Sequence, residues 1–115
     1  MQSEYECREG AFRVVLERLT KGGMIVERPQ IIGAPNFIEV KREREQLRGV
    51  WLFPNEGRIA GSPDLLIVHM HWVVKNGGKD KRAILRVASL IESILLEEGA
   101  VCTQEPVAPI ARGKL

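Results

Sequence analysis

The stretch LLIVHMHWVVK, residues 65–75, constrains the fold more than any other part of this chain. Side chains alternate between the two faces of a strand. Leu66, Val68, Met70, Trp72 and Val74 make one wholly apolar side, and Leu65, Ile67, His69, His71, Val73 and Lys75 make the other. Apolar residues on both sides predict a central strand, covered over at least part of each face.

The elements around it follow from periodicity and punctuation. Ile84, Val87, Ala88, Ile91, Ile94 and Leu95 recur at helical spacing, predicting a helix over 81–98 with Asp80 as N-cap and Gly99 as its stop. Near the start, Ser3 and Glu6 have capping-box spacing, and Phe12, Val15, Leu16 and Leu19 form an apolar stripe, predicting a first helix over about 4–20 that ends at Gly22-Gly23. MIVERPQII, residues 24–32, reads as a strand, with Pro29 restricting it to an edge or a bulge because proline has no backbone donor.

FIEVKREREQLRGVWLFP fits either a hairpin of strands 37–43 and 47–53 or a strand followed by a short charged helix. PNEGRIAGSPD, residues 54–64, reads as a long surface loop, AVCTQEP as a short last strand, and residues 107–115 as a flexible C-terminal tail. The sum is a single α+β domain over 1–106, with two main helices packed on one face of a small, mainly antiparallel sheet of four to five strands.

A chain of 115 residues is long enough for one core, burying roughly 65% of the surface exposed when unfolded. No apolar run approaches the ~20 residues that cross a bilayer, and the acidic start MQSEYECREG is unlike a signal peptide, so no membrane is expected and a cytoplasmic location is. Cys7 and Cys102 lack zinc-ligand spacing and read as free thiols; no cofactor is expected.

Charge is unevenly spread. The net charge of the whole is +2, but residues 1–40 carry −1, residues 41–86 carry +5 and residues 87–115 carry −2. Lys79, Lys81, Arg82 and Arg86 crowd the start of the second helix, while Glu97 and Glu98 stand at its end. Both sets oppose the helix macrodipole, at about 0.3–1 kcal/mol per exposed charge. Free N–H groups beside several cations can seat a phosphate, and Lys41, Arg42, Arg44 and Lys75 would widen the basic surface. The Gly77-Gly78 turn matches neither a P-loop nor a dinucleotide-binding motif.

Two arrangements bear on catalysis. His69 and His71, at i and i+2, point the same way and could share a metal with a third ligand from Glu39, Glu43 or Cys102; as plain strand residues, each would pack its ring on the sheet and bond one nitrogen outward. IEVK (38–41) and SPDLLIV (62–68) resemble the two halves of the PD-(D/E)XK nuclease motif, which would make Glu39 and Asp64 magnesium ligands and Lys41 a charge stabiliser. The Pro-Asp half follows here, whereas in that family it comes first, and nothing couples a serine or cysteine to a histidine.

The expectation is therefore a small non-enzymatic domain that binds a polyanion, nucleic acid in particular, through its basic middle. The rival expectation is a protein-interaction or homodimerising module using the edge strand that carries Pro29, Trp51-Leu52-Phe53 and the apolar part of the His69 face, and a metal-dependent enzyme stands third.

Overall fold

The computed structural model describes residues 1–29, 37–44, 49–56, 64–73 and 79–107. Their elements are β1 (Gln2–Arg8), α1 (Glu9–Lys21), β2 (Ile25–Glu27), β3 (Ile38–Lys41), β4 (Val50–Glu56), β5 (Leu65–His71), α2 (Lys79–Glu97) and β6 (Val101–Gln104). The strands form one sheet in the order β2-β3-β4-β5-β1-β6, and every neighbouring pair is antiparallel. The fold is thus α+β with two helices, and its sheet has six strands rather than four or five.

The extra strand comes from the amino-terminal stretch, which is not the start of a helix. QSEYECR contains both capping-box spacing and a two-residue alternation, and the alternation prevails: Ser3, Tyr5 and Cys7 are buried while Gln2, Glu4, Glu6 and Arg8 point away. Pairing on both edges, with β5 and with β6, decides between these local preferences. The helix begins only at Glu9, whose N–H donates to the Asp64 carbonyl at 2.9 Å.

Both helices end as their glycines require. Gly23 (φ 91°) and Gly99 (φ 92°) adopt the left-handed conformation. The N–H groups of Met24 and Ala100 donate to the carbonyls of Leu19 and Leu95 at 3.0 and 2.9 Å, completing two Schellman motifs. At its other end α2 opens two residues earlier than the pattern predicts, so Asp80 falls inside the first turn rather than at the cap.

β5 is central, paired with β4 and β1, as its two apolar faces require. Val68, Met70 and Trp72 join Tyr5, Leu52, Val50, Val40 and Ile38 on the covered face of the sheet, where Phe12, Val15 and Leu19 of α1 and Ile84, Val87, Ala88, Ile91 and Leu95 of α2 pack against them. The hairpin alternative for residues 37–53 is the one observed, as β3 and β4. β4 runs further than expected, through Pro54 to Glu56, with Pro54 opposite Val68, so the first three positions expected in a loop are strand; residues 57–63 of that expected loop lie outside the described residues. β2 is short and stands at a sheet edge, the position Pro29 just beyond it permits.

Beyond β6 the chain is held by a buried polar group of side chains. The Ser3 hydroxyl donates to the Glu105 carbonyl and the Tyr5 hydroxyl to the Glu92 carboxylate, which also accepts the Val107 N–H at 2.9 Å. Ser3, Tyr5, Glu92 and Val107 are all buried. Burial, and then the neighbouring carboxylate, push the Tyr5 hydroxyl pKa far above its ordinary value, so it remains a donor. The remaining tail positions, 108–115, lie outside the described residues. No helix among the described residues is long and apolar enough to cross a membrane.

Candidate functional site

α2 is the element on which the charge argument turns, and its two ends differ. At the end, Glu97 and Glu98 oppose the dipole and no basic residue occupies the last turn. α1 supplies the missing cation: Arg18 donates to Glu97 at 2.6 Å and lies 4.0 Å from Glu98. At the start nothing comparable happens. Lys81, Arg82 and Arg86 are exposed, and none has an ion pair or hydrogen bond among the described residues. The acids of α1 do not match them, since Glu9 is bound to Arg13 at 3.1 Å and Glu17 has no cationic partner among the described residues.

The second basic stretch follows β3 at the end of the sheet where β5 also finishes. Val40 lies opposite Val50, and Trp51 opposite His71, so β3 and β5 finish side by side, two strands or about 10 Å apart. Lys41, Arg42 and Arg44 follow from β3, and α2 follows from β5 through residues 74–78. These cations are committed, however. Lys41 lies 3.5 Å from Glu39, Arg44 lies 4.0 Å from Glu27, and Arg42 is engaged within the fold. Lys75 lies outside the described residues, as does the side chain of Lys79.

The sheet face turned away from both described helices is aromatic. Phe37 stacks 5.2 Å from Trp51 and 5.6 Å from Phe53, and the His71 ring lies 6.1 Å from Trp51. The Trp51 indole N–H donates to Glu39 at 2.8 Å, which fixes the ring. Sequence reasoning singled out Trp51 and Phe53 but not Phe37, which lies just before β3 and takes this face by alternating with Ile38. Trp72, by contrast, is buried on the covered face as predicted, with its indole nitrogen unpartnered.

Neither catalytic arrangement is assembled. His69 and His71 do share the open face, but His69 Nδ1 stands 3.7 Å from Glu4, and Cys102 packs against the core on the opposite side. Burial, and then the N-terminal ammonium, lower the His71 pKa. Among the described residues no three His, Cys, Asp or Glu side chains converge to hold a metal. In the nuclease-like set Glu39 and Lys41 are neighbours, but Asp64 lies seven residues along β5 from His71 and so about 23 Å down the sheet from the row holding Glu39; it pairs with Arg8 at 3.8 Å. The reversed motif order thus leaves its carboxylates at opposite ends of the sheet.

An open groove of about 540 Å³ beside α1 and β2 is lined by Leu16, Glu17, Thr20, Lys21, Val26 and Arg28, and its mixed charge favours neither sign of ligand. No family model, curated protein or solved structure matches this chain.

Proposed function

We propose that this chain is a non-enzymatic binding domain that engages a polyanion, nucleic acid in the first instance, through the start of α2. The observation carrying the reading is the asymmetry of that helix. Its wrongly signed acids are matched by Arg18, whereas its wrongly signed cations Lys81 and Arg82, and Arg86 one turn further along, stand exposed and unmatched among the described residues. A cation that costs dipole energy without an internal partner is accounted for by an external one, and phosphate suits both the side chains and the helix start. Lys41, Arg42 and Arg44, held by the fold, are secondary contacts that a ligand would have to draw away from their present partners. The free thiols of Cys7 and Cys102 fit a reducing compartment, and the reading takes the cytoplasm as its setting.

Contacts of this kind position a ligand without reading its sequence, and they weaken steeply with salt. The test is binding of the purified chain to mixed-sequence RNA and DNA across a salt series, with Lys81→Glu/Arg82→Glu as comparison. Affinity should fall with salt for the native chain and be lost in the variant; equal affinity for both removes the site.

A second reading, a protein-interaction or self-associating module, is favoured by the aromatic cluster Phe37, Trp51, Phe53 on the sheet face turned away from both described helices. Association there would survive high salt, which separates it from polyanion binding.

A further inference from the structure

The sheet face turned away from both described helices carries a charge pattern that its aromatic residues do not explain. Along β1, Glu4 and Glu6 point to this side, opposite His69 and Ile67, as does Arg8, which pairs with Asp64 at 3.8 Å; along β2 and β3, Glu27 and Glu39 do the same beside Trp51. The carboxylates on the β2–β3 flank are compensated, Glu39 by Lys41 at 3.5 Å and Glu27 by Arg44 at 4.0 Å. Those on the β1 flank are not. Glu4 has a hydroxyl partner, Thr103 at 2.9 Å, and His69 at 3.7 Å opposes its charge only in the protonated form. Glu6 has no partner among the described residues.

We propose that this sheet face docks a protein segment bearing arginine or lysine side chains, with the Phe53, Ile67 and His69 surface receiving their apolar stems and Glu4 and Glu6 receiving their charges. This rests on the second reading above and names the partner for it. The register supports the geometry: Phe53, His69 and Glu4 are consecutive across three strands, so apolar surface and charge lie within about 10 Å, the reach of one extended arginine or two alternate residues of an extended peptide. The platform is set in advance, since Trp51 is fixed by Glu39 and Phe37 is wedged against Trp51 and Phe53.

Charge also selects among occupants. A second copy stacked face to face would offer the β1-flank carboxylates either the same carboxylates or the Glu27 and Glu39 flank, whose cations Lys41 and Arg44 are already engaged. A polyanion meets the same repulsion. A cationic segment meets uncompensated carboxylates beside aromatic and aliphatic surface, where the ring faces add attraction for its cations.

The probe is a synthetic ten-residue peptide alternating arginine and leucine, titrated calorimetrically against the full chain, with hydrogen exchange to locate protection and an alternating glutamate and leucine peptide for comparison. The cationic peptide should protect β1, β4 and β5, the acidic one should not bind, and Glu4→Gln/Glu6→Gln should weaken binding at least tenfold. Glu6→Gln alone disturbs no described partner and should weaken it in the same direction, so the result does not depend on the Glu4 and Thr103 contact. Lys81→Glu/Arg82→Glu should leave this binding unchanged. Equal affinity of the glutamine variants, or equal binding of both peptides, overturns the proposal. If instead the chain alone dimerises with the same strands protected, the interaction reading stands and the cationic partner falls; if neither peptide nor self-association protects this face, both fall.

Discussion

Replacing Lys81 and Arg82 by glutamate should strengthen the fold while abolishing polyanion binding, a combination that a merely structural role for these residues does not produce. Both lie in the first four residues of α2, which begins at Lys79. Removing an exposed cation there recovers about 0.3–1 kcal/mol, and an acid in its place adds a comparable amount that falls off within the turn. Helix propensities of lysine, arginine and glutamate are nearly equal, so that contribution cancels. The carboxylate introduced at 82 stands four residues before Arg86, an arrangement worth a further ~0.3–0.5 kcal/mol. With the lower end of the range taken for position 82, the sum is about 1.5–3 kcal/mol of added stability at low ionic strength. For a domain of this size that raises Tm by roughly 6–12 °C.

Urea unfolding and calorimetry at low and high salt measure the first half, and the gain should shrink as salt screens it. Binding measures the second: the glutamate variant should show none, and if both cations meet phosphates, the neutral Lys81→Gln/Arg82→Gln should lower the magnitude of the slope of log K against log salt on duplex DNA by about 1.8. A less stable variant would show that these cations have partners within the fold and would refute the reasoning at its root, whatever happened to binding. A more stable variant that still bound nucleic acid as the native chain does would keep the dipole argument and discard the ligand.

Three further outcomes follow from the described contacts. Tyr5→Phe removes the donor to the buried Glu92 carboxylate and leaves Val107 N–H as that group's remaining described partner, so it should cost about 1.5–3 kcal/mol in urea unfolding; a loss below 0.5 kcal/mol would mean the hydroxyl contributes nothing net. A thiol reagent at pH 8 should modify Cys102, which is half-buried, well before Cys7, which is 5% exposed with its pKa pushed up to about 11 by burial; simultaneous modification of both in the native state would contradict the packing of β1. His71, whose pKa in the fold is lowered below the ordinary 6.5, contributes stability that is present above that value and lost as pH falls through the folded pKa. His71→Gln should therefore lose less stability than the native chain between pH 7.5 and pH 5, and an unchanged difference across that range would show that the imidazole is solvated in the fold.

The sequence by itself determined those elements whose signal is local and repeated. The two-sided apolar pattern of residues 65–75 specified a central strand, the helical spacing from Ile84 to Leu95 specified α2, and Gly23 and Gly99 fixed both helix ends, because only glycine takes the left-handed turn without penalty. The unbalanced charges of α2 were equally legible, since the dipole's sign follows from chain direction alone.

Tertiary structure decided what local rules left divided. QSEYECR satisfies a capping box and a strand alternation at once, and only its insertion between β5 and β6, partners some 65 and 95 residues away in the chain, chose the strand. The same insertion turned Glu4 and Glu6 toward the open face and Tyr5 toward Glu92. Which cations were compensated was likewise a matter of long-range contact. Arg18 reaches Glu97 across 79 positions, and Arg44 reaches Glu27 because β2 and β3 pair, whereas no acid among the described residues arrives at Lys81 or Arg82. Sequence sets the charge each residue brings; only the folded chain settles which opposite charge, if any, comes within reach.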